Sequence, residues 1–222
     1  MSLLEFFRGE PAALVEQSRA DLVEMLRVAQ QMFEAAAVAV HNAEAPALDL
    51  DVADEEVNRR EQQVRRALLQ HVATNPSTDL PHSLTLISVV QDAERCGDLA
   101  KSLAKAAVLT DQRTATMRFA ELGTAMSGVT MLFPMVQAAF ESDDKAQAEA
   151  AMSAAQQIKT QTLGLVGALV RGGDGLDVPQ AVLLATAARI VSRVAAHLSS
   201  IASVMVMPFD QIRRTPDWHD DE

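Results

Sequence analysis

The chain of 222 residues lacks tyrosine, and only 4% of its residues are aromatic. Long stretches are instead rich in Ala, Leu, Val and Gln, a composition that favours helices over strands. The composition therefore argues against an all-β protein and predicts an all-α protein. With 49% hydrophobic and 22% charged residues, the chain can bury a sizeable core, which excludes a disordered protein.

Cysteine and long hydrophobic runs are also scarce. The single cysteine, Cys96, permits no intramolecular disulfide, and residues 1–7 lack the basic and apolar regions of a signal peptide. The most apolar run, Ala125–Phe140, is shorter than the roughly 20 residues that a bilayer core requires, and it contains Pro134. These features predict a cytoplasmic protein without a transmembrane segment, in which this run is a buried helix kinked at the proline.

Basic residues are outnumbered, 19 against 30 acidic ones, and the net charge of −11 repels nucleic-acid backbones. The motifs G-x-G-x-x-G, G-x-x-x-x-G-K-[ST] and G-x-S-x-G are absent, which argues against nucleotide binding and a serine nucleophile. None of the five histidines has a glutamate three positions before it, as a ferritin-like di-iron enzyme requires. We therefore interpret the histidines as ordinary surface or helix-end residues and expect no nucleic acid as a partner.

Helix breakers recur about every thirty residues and divide the chain into six predicted helices. The predicted helices span residues 11–43, 53–74, 79–109, 112–141, 144–171 and 177–206. The predicted turns lie at residues 45–51, 75–79, 110, 142–143 and 172–177. Because a thirty-residue helix is about 45 Å long, we expect an elongated antiparallel bundle. Apolar residues recur at helical spacing on one stripe, as in Leu86, Val89, Ala93, Cys96, Ala100 and Leu103.

The chain also contains an internal repeat. Asp79-Leu80-Pro81 opens the third predicted helix as Asp177-Val178-Pro179 opens the sixth, with Asp as the N-cap and Pro in the first turn. The same offset pairs Arg95 with Arg193. We therefore predict a tandem repeat of two three-helix bundles. The predicted organisation is a first repeat, a second repeat and a tail, comprising residues 1–109, 110–207 and 208–222.

Carboxylates distinguish the first repeat from the second. Glu94 and Asp98 lie four residues apart, so both project from one face of the third predicted helix, away from its apolar stripe. The second repeat holds Ser192 and Ala196 at these positions.

The second predicted helix carries a matching polar set, Asp54, Asn58 and Glu61. If the second and third helices pack antiparallel, the two sets converge at mid-bundle, where unpaired carboxylates repel one another unless a cation lies between them. A solvated surface remains an alternative interpretation, because basic residues lie near enough to neutralise the carboxylates. These basic residues are Arg59, Arg60, Arg65, Arg95, Lys101 and Lys105.

Three ordered motifs resemble the PhoU family of phosphate-uptake regulators. Residues 90–105, VQDAERCGDLAKSLAK, resemble the family signature E-R-x-G-D-x-A-x-x-I-A. Residues 54–61, DEEVNRRE, resemble its D-x-x-V-N-x-x-E segment, and residues 75–80, NPSTDL, resemble its P-x-x-D-L turn. Residues 188–202 resemble a second copy of the signature that has lost both acids.

This resemblance implies an all-helical bundle that binds multinuclear metal clusters, of iron or zinc, through acidic surface motifs. It also implies a non-enzymatic negative regulator that contacts a phosphate ABC transporter and a sensor histidine kinase, or that accompanies a sodium/phosphate cotransporter. Such a protein is cytoplasmic and reaches the inner face of the membrane through its partner. Carried over by position, the implied metal ligands are Asp54, Asn58, Glu61, Glu94 and Asp98. Because the second copy lacks its acids, we expect one metal site or none.

Other surface features leave further interpretations open. Residues 204–209 are apolar on every side, which predicts burial against a second copy and hence a homodimer. The cluster of Arg59, Arg60, Arg65 and Arg66 either docks on an anionic surface or pairs with acids on its own helix. Besides a metal-binding regulator, the sequence permits a metal-free interaction module and a metal-dependent helical-bundle enzyme.

Overall fold

The computed structural model describes residues 11–42, 44–74, 80–108, 119–172 and 175–212. Six long helices and one short 3-10 helix account for most of these residues, and no strand occurs among them. The helices are α1 (Pro11–Asn42), α2 (Leu50–Thr74), α3 (Leu80–Val108), α4 (Phe119–Ser142), α5 (Lys145–Val170), α6 (Val178–Ser203) and a 3-10 turn (Phe209–Gln211). The predicted all-α class is thus confirmed.

Two helix ends differ from the prediction for local reasons. α2 begins three residues early because the Asp49 carboxylate accepts hydrogen bonds from the amides of Asp51 and Val52, at 3.1 and 3.2 Å. α6 ends at Ser203 rather than at residue 206. After Ser203 the chain tightens into i→i+3 hydrogen bonds, such as the one that Met205 N donates to Ala202 O at 3.1 Å. The predicted turns at 75–79 and 110, the Asp79 cap and the start of the fourth predicted helix lie outside the described residues.

The helices form two three-helix groups that share one core. α1 packs against α2 and α3, and α5 packs against α4 and α6. Contacts of α1 with α4 and of α3 with α6 join the two groups. The apolar stripe predicted on α3 is buried along its whole length, as is the corresponding stripe of α5. The tandem three-helix arrangement is therefore confirmed.

The most apolar run forms part of α4, which continues as a helix through Pro134. One face of this run enters the core, where both Phe133 and Val136 are fully buried, whereas Met131 on the other face is 65% exposed. By length and composition alone, the segments Ala120–Ser142 and Val178–Ser203 would be long enough to span a membrane. Within the bundle, 50% of the most apolar 18-residue stretch of the first segment is buried, and 39% of that of the second segment. The run is thus helical as predicted, and one face of it is buried within the protein.

The apolar segment after α6 packs onto its own chain. Val204, Met205, Val206 and Met207 are partly buried against the core of the bundle, whereas Phe209 is exposed. Most of this apolar surface therefore has a partner without a second copy. The homodimer remains a prediction, and the residues after 212 lie outside the described part of the chain.

Candidate functional site

The predicted metal ligands lie along the contact between α2 and α3, which we call the α2–α3 groove. At one end, the Lys101 ammonium donates a hydrogen bond to Asp54 Oδ2 at 3.0 Å and pairs with Asp51 Oδ1 at 2.9 Å. The Asn58 amide also donates to Asp54 Oδ2, at 3.2 Å. Asp54 is buried, so Lys101 supplies the positive charge that compensates this carboxylate.

The other end of the groove holds three carboxylates that repel one another. Burial of Glu94 and the negative charge of Asp98 raise the pKa of Glu94 to about 7, and Glu61 on α2 adds to this effect. The Glu94 side chain is only 16% exposed. Glu94 therefore lies at the contact with α2, near enough to Glu61 for the two charges to interact.

Arginines neutralise this end only in part. Arg95 Nη1 pairs with Asp98 Oδ2 at 2.9 Å, whereas its Nε lies 3.6 Å from Glu94 Oε2. Arg65 pairs with Glu61 at 2.7 Å, one helical turn along α2. These contacts agree with the alternative of a neutralised surface for Asp98 and Glu61. Of the carboxylates in the groove, that of Glu94 therefore has the weakest contact with a positive charge.

Two buried carboxylate oxygens have no hydrogen-bond donor within the described part of the chain: Asp54 Oδ1 and Glu94 Oε2. Oxygen donors of this kind suit a hard divalent cation, which would take up the unused acceptor capacity. The donor chemistry therefore fits a metal ion. As the side chains stand, however, no group of three or more His, Cys, Asp or Glu among the described residues is arranged to hold one.

The structure thus divides the five predicted ligands into two sets. Glu61, Glu94 and Asp98 come together electrostatically, whereas Asp54 accepts hydrogen bonds from both Asn58 and Lys101. The sequence named Lys101 among the residues able to neutralise these carboxylates, but spacing along single helices could not show that it pairs with Asp54. That pairing depends on the register of the two antiparallel helices, which places Lys101 opposite Asp54 and Glu94 opposite Glu61.

Histidines carry structural contacts that the sequence did not indicate. His197 Nδ1 on α6 lies 2.8 Å from Asp92 Oδ1 on α3, which links the two halves through a buried carboxylate. His71 is 2% exposed, and neither ring nitrogen has a hydrogen-bond partner among the described residues. His197 and His71 are therefore not ordinary surface residues, although His71 does lie in the last turn of α2.

The remaining candidate chemistry of the first half is structural. Arg59 and Arg60 both pair with Glu56 on their own helix, and Arg60 also pairs with Asp21 on α1 at 2.9 Å. These contacts support the interpretation of acid pairing over docking. Cys96 is fully buried, and this burial raises the pKa of its thiol well above the usual range, so the thiol is a poor nucleophile.

One protein-family model matches a region in the first half of the chain. Residues 22–107 match the family model described as PhoU domain. The matched range includes α2 and the acidic motifs of both α2 and α3. The resemblance to the PhoU family is thereby confirmed. No curated protein matches the chain in sequence.

Two solved structures share the fold over nearly the full length. One is PhoU from Pseudomonas aeruginosa, with a TM-score of 0.78, 19% sequence identity, and coverage of 89% of this chain and 97% of that chain. The other is the phosphate transport system regulatory protein PhoU from Streptococcus pneumoniae. It has a TM-score of 0.76, 15% identity, and coverage of 89% of this chain and 95% of that chain.

Proposed function

We propose that this protein regulates phosphate transport or phosphate signalling in the manner of a PhoU protein. The observation that carries the proposal is the PhoU domain match over residues 22–107, joined to a fold shared with PhoU structures over 89% of the chain. The protein would act in the cytoplasm as a non-enzymatic adaptor. Its partner would be a phosphate transporter, of the ABC or sodium-coupled type, or the associated sensor kinase.

The proposal extends to a metal ion in the α2–α3 groove, such as iron or zinc. Glu61, Glu94 and Asp98 would hold it, because their mutual repulsion and the orphaned Glu94 Oε2 favour a cation there. Asp54 and Asn58 would join only after Lys101 has moved away from Asp54. A bound cation would neutralise the carboxylates, so α2 and α3 would be held together more firmly.

A metal-free interaction module is the second candidate, and Lys101 favours it. Its ammonium already bridges Asp51 and Asp54, where a cation would otherwise be needed. Arg95 and Arg65 offset Asp98 and Glu61 in the same way. In this case the protein would regulate its partner through surface contact alone. A metal-dependent enzyme is less well supported, since the predicted ligands do not converge on one point.

Deleting the gene in its host is expected to raise phosphate uptake in phosphate-rich medium, because a negative regulator would be lost. Uptake of radiolabelled phosphate measures the effect, and a plasmid copy of the intact gene serves as the control and should restore the low rate. The Glu94→Gln, Asp98→Asn double variant, supplied on the same plasmid, separates the two candidates. Failure to restore the low rate would favour the metal-binding regulator, and full restoration would favour the metal-free interaction module. Unchanged uptake in the deletion strain would contradict the regulatory role.

The purified protein is expected to contain a stoichiometric metal that the Glu94→Gln, Asp98→Asn double variant lacks. Elemental analysis before and after reconstitution with iron or zinc measures it. Affinity should fall at least about tenfold, since even outer-shell partners of a metal commonly contribute that much. Glu149→Gln, at an exposed site on α5, is the matched control and should retain the metal. A metal-free protein after reconstitution would favour the interaction module.

A further inference from the structure

A second polar site lies between α3 of the first half and α6 of the second. It is a cleft of about 360 Å³, and we call it the basic cleft because four of its lining side chains are cationic. Three of these cations, Arg95, Lys101 and Lys105, come from α3, and Arg193 comes from α6. Asp98 is the acidic residue among the described side chains that line it.

Two of the four cations are already engaged. Arg95 pairs with Asp98 and Glu94, and Lys101 pairs with Asp51 and Asp54. Lys105 and Arg193, by contrast, form no ion pair within the described part of the chain. Lys105 lies near enough to Asp51 for its charge to help lower the pKa of that carboxyl. Two of the positive charges in the cleft are therefore not neutralised by an ion pair among the described residues, in a protein whose net charge is −11.

The repeat explains why Arg193 is unpaired. Its counterpart in the first repeat, Arg95, is flanked by the acids Glu94 and Asp98, one residue before it and three after it. The second repeat has Ser192 and Ala196 at these positions, so both carboxylates are missing while the arginine remains. Without the two acids, the Arg193 guanidinium lines the cleft with no ion pair among the described residues.

We propose that the basic cleft binds a small tetrahedral oxyanion, namely inorganic phosphate or the phosphate group of a soluble monoester. Arginine offers a planar fork of N–H donors that matches phosphate oxygens, and lysine adds a compact positive charge. Arg193 and Lys105 approach from two different helices, as a clamp on a compact dianion requires. The anion would bind whether or not the protein contacts a transporter.

The observations favour a soluble anion over an anionic membrane or a nucleic acid. The four cations line a cleft of about 360 Å³, a concave site that suits a small ion better than a planar bilayer surface. The net charge of −11 would oppose approach to a large polyanion, whereas a small ion feels mainly the local potential.

Isothermal titration with inorganic phosphate tests the proposal. The full-length protein is treated with chelator beforehand, so that binding through a metal is excluded, and ionic strength is held constant with chloride. We expect saturable binding that weakens at least about tenfold in Arg193→Gln and in Lys105→Gln, because each removes a direct charged contact. Arg189→Gln, one turn earlier on α6 and exposed, should bind like the wild type.

A gain-of-acid variant tests the same site without removing any cation. Ser192→Glu combined with Ala196→Asp restores the missing carboxylates beside Arg193 and should abolish phosphate binding, while circular dichroism checks that the helices remain. Absence of saturable binding to the wild type would overturn the proposal. Phosphate binding by Arg193→Gln with the affinity of the wild type would overturn it too. So would a wild-type protein that binds vesicles containing phosphatidylglycerol but not inorganic phosphate.

Discussion

Replacing Glu94 by glutamine is expected to stabilise the protein by about 1–2 kcal/mol at about pH 8 and to change its stability little at about pH 4, since solvent screens part of the repulsion. Glutamine resembles the protonated carboxyl group in shape and carries no charge. The variant therefore removes the cost of holding an ionised Glu94 beside Asp98 and Glu61. Buried carboxylates that lack full compensation destabilise the folded state in this way.

The sign of the effect follows from the raised pKa. The pKa of Glu94 is about 7 in the folded protein against 4.5 in an unfolded chain, so the folded state binds the proton more tightly. The contribution of the protonated Glu94 to the free energy of unfolding is complete below about pH 4.5, and it is lost as the pH rises through about 7. The difference between wild type and variant should therefore grow across this window.

Chemical denaturation at a series of pH values, in the presence of chelator, measures this difference. Comparing the variant with the wild type cancels the contributions of the other titrating groups. Glu149→Gln on α5 should show no such trend, because its side chain is exposed. A stability difference for Glu94→Gln that does not vary with pH would contradict the prediction and would mean that Arg95 keeps Glu94 ionised.

Truncating Phe133 to alanine is expected to lower the free energy of unfolding by about 3–5 kcal/mol. Phe133 on α4 and Phe33 on α1 are both fully buried, and their ring centroids lie 6.1 Å apart at an interplanar angle of 45°. The pair joins the two three-helix groups at the contact between α1 and α4. Removing one ring leaves a cavity that the long, close-packed helices cannot easily close.

Denaturant unfolding followed by circular dichroism measures the loss. Leu163→Ala on α5 is the control, because this side chain is 65% exposed and its truncation should change stability by less than about 0.5 kcal/mol. A double-mutant cycle with Phe33→Ala should give a coupling of about 0.5–1.5 kcal/mol between the rings. A loss for Phe133→Ala as small as that of the control would contradict the prediction.

The two copies of the signature have diverged toward opposite charges. The first copy carries Glu94 and Asp98 on either side of Arg95, whereas the second copy carries Arg193 with Ser192 and Ala196 in place of the acids. The α2–α3 groove and the basic cleft share α3, since Asp98 and Lys101 border the groove and also line the cleft. Occupancy of one is therefore expected to affect the other through these two side chains.

The sequence by itself determined the helices, their order and most of the core. Such features depend on local chemistry: breakers end helices, Asp177 caps α6 together with Gln180, and apolar residues at spacings of three and four define the buried stripes. The acidic motifs were also visible, because residues four apart on one helix necessarily share a face. The differences at the ends of α2 and α6 are a few residues each.

Only the tertiary structure decided which charges meet. The partners of Asp54 and Glu94 depend on the register of α2 against α3, and a shift of one helical turn, about 5.4 Å, would give each of them a different partner. The same holds for the contact of His197 with Asp92 and for the place of Arg193 beside α3. Periodicity within a helix defines the face on which a side chain lies. The height at which that side chain meets a neighbouring helix is set by packing of the whole core.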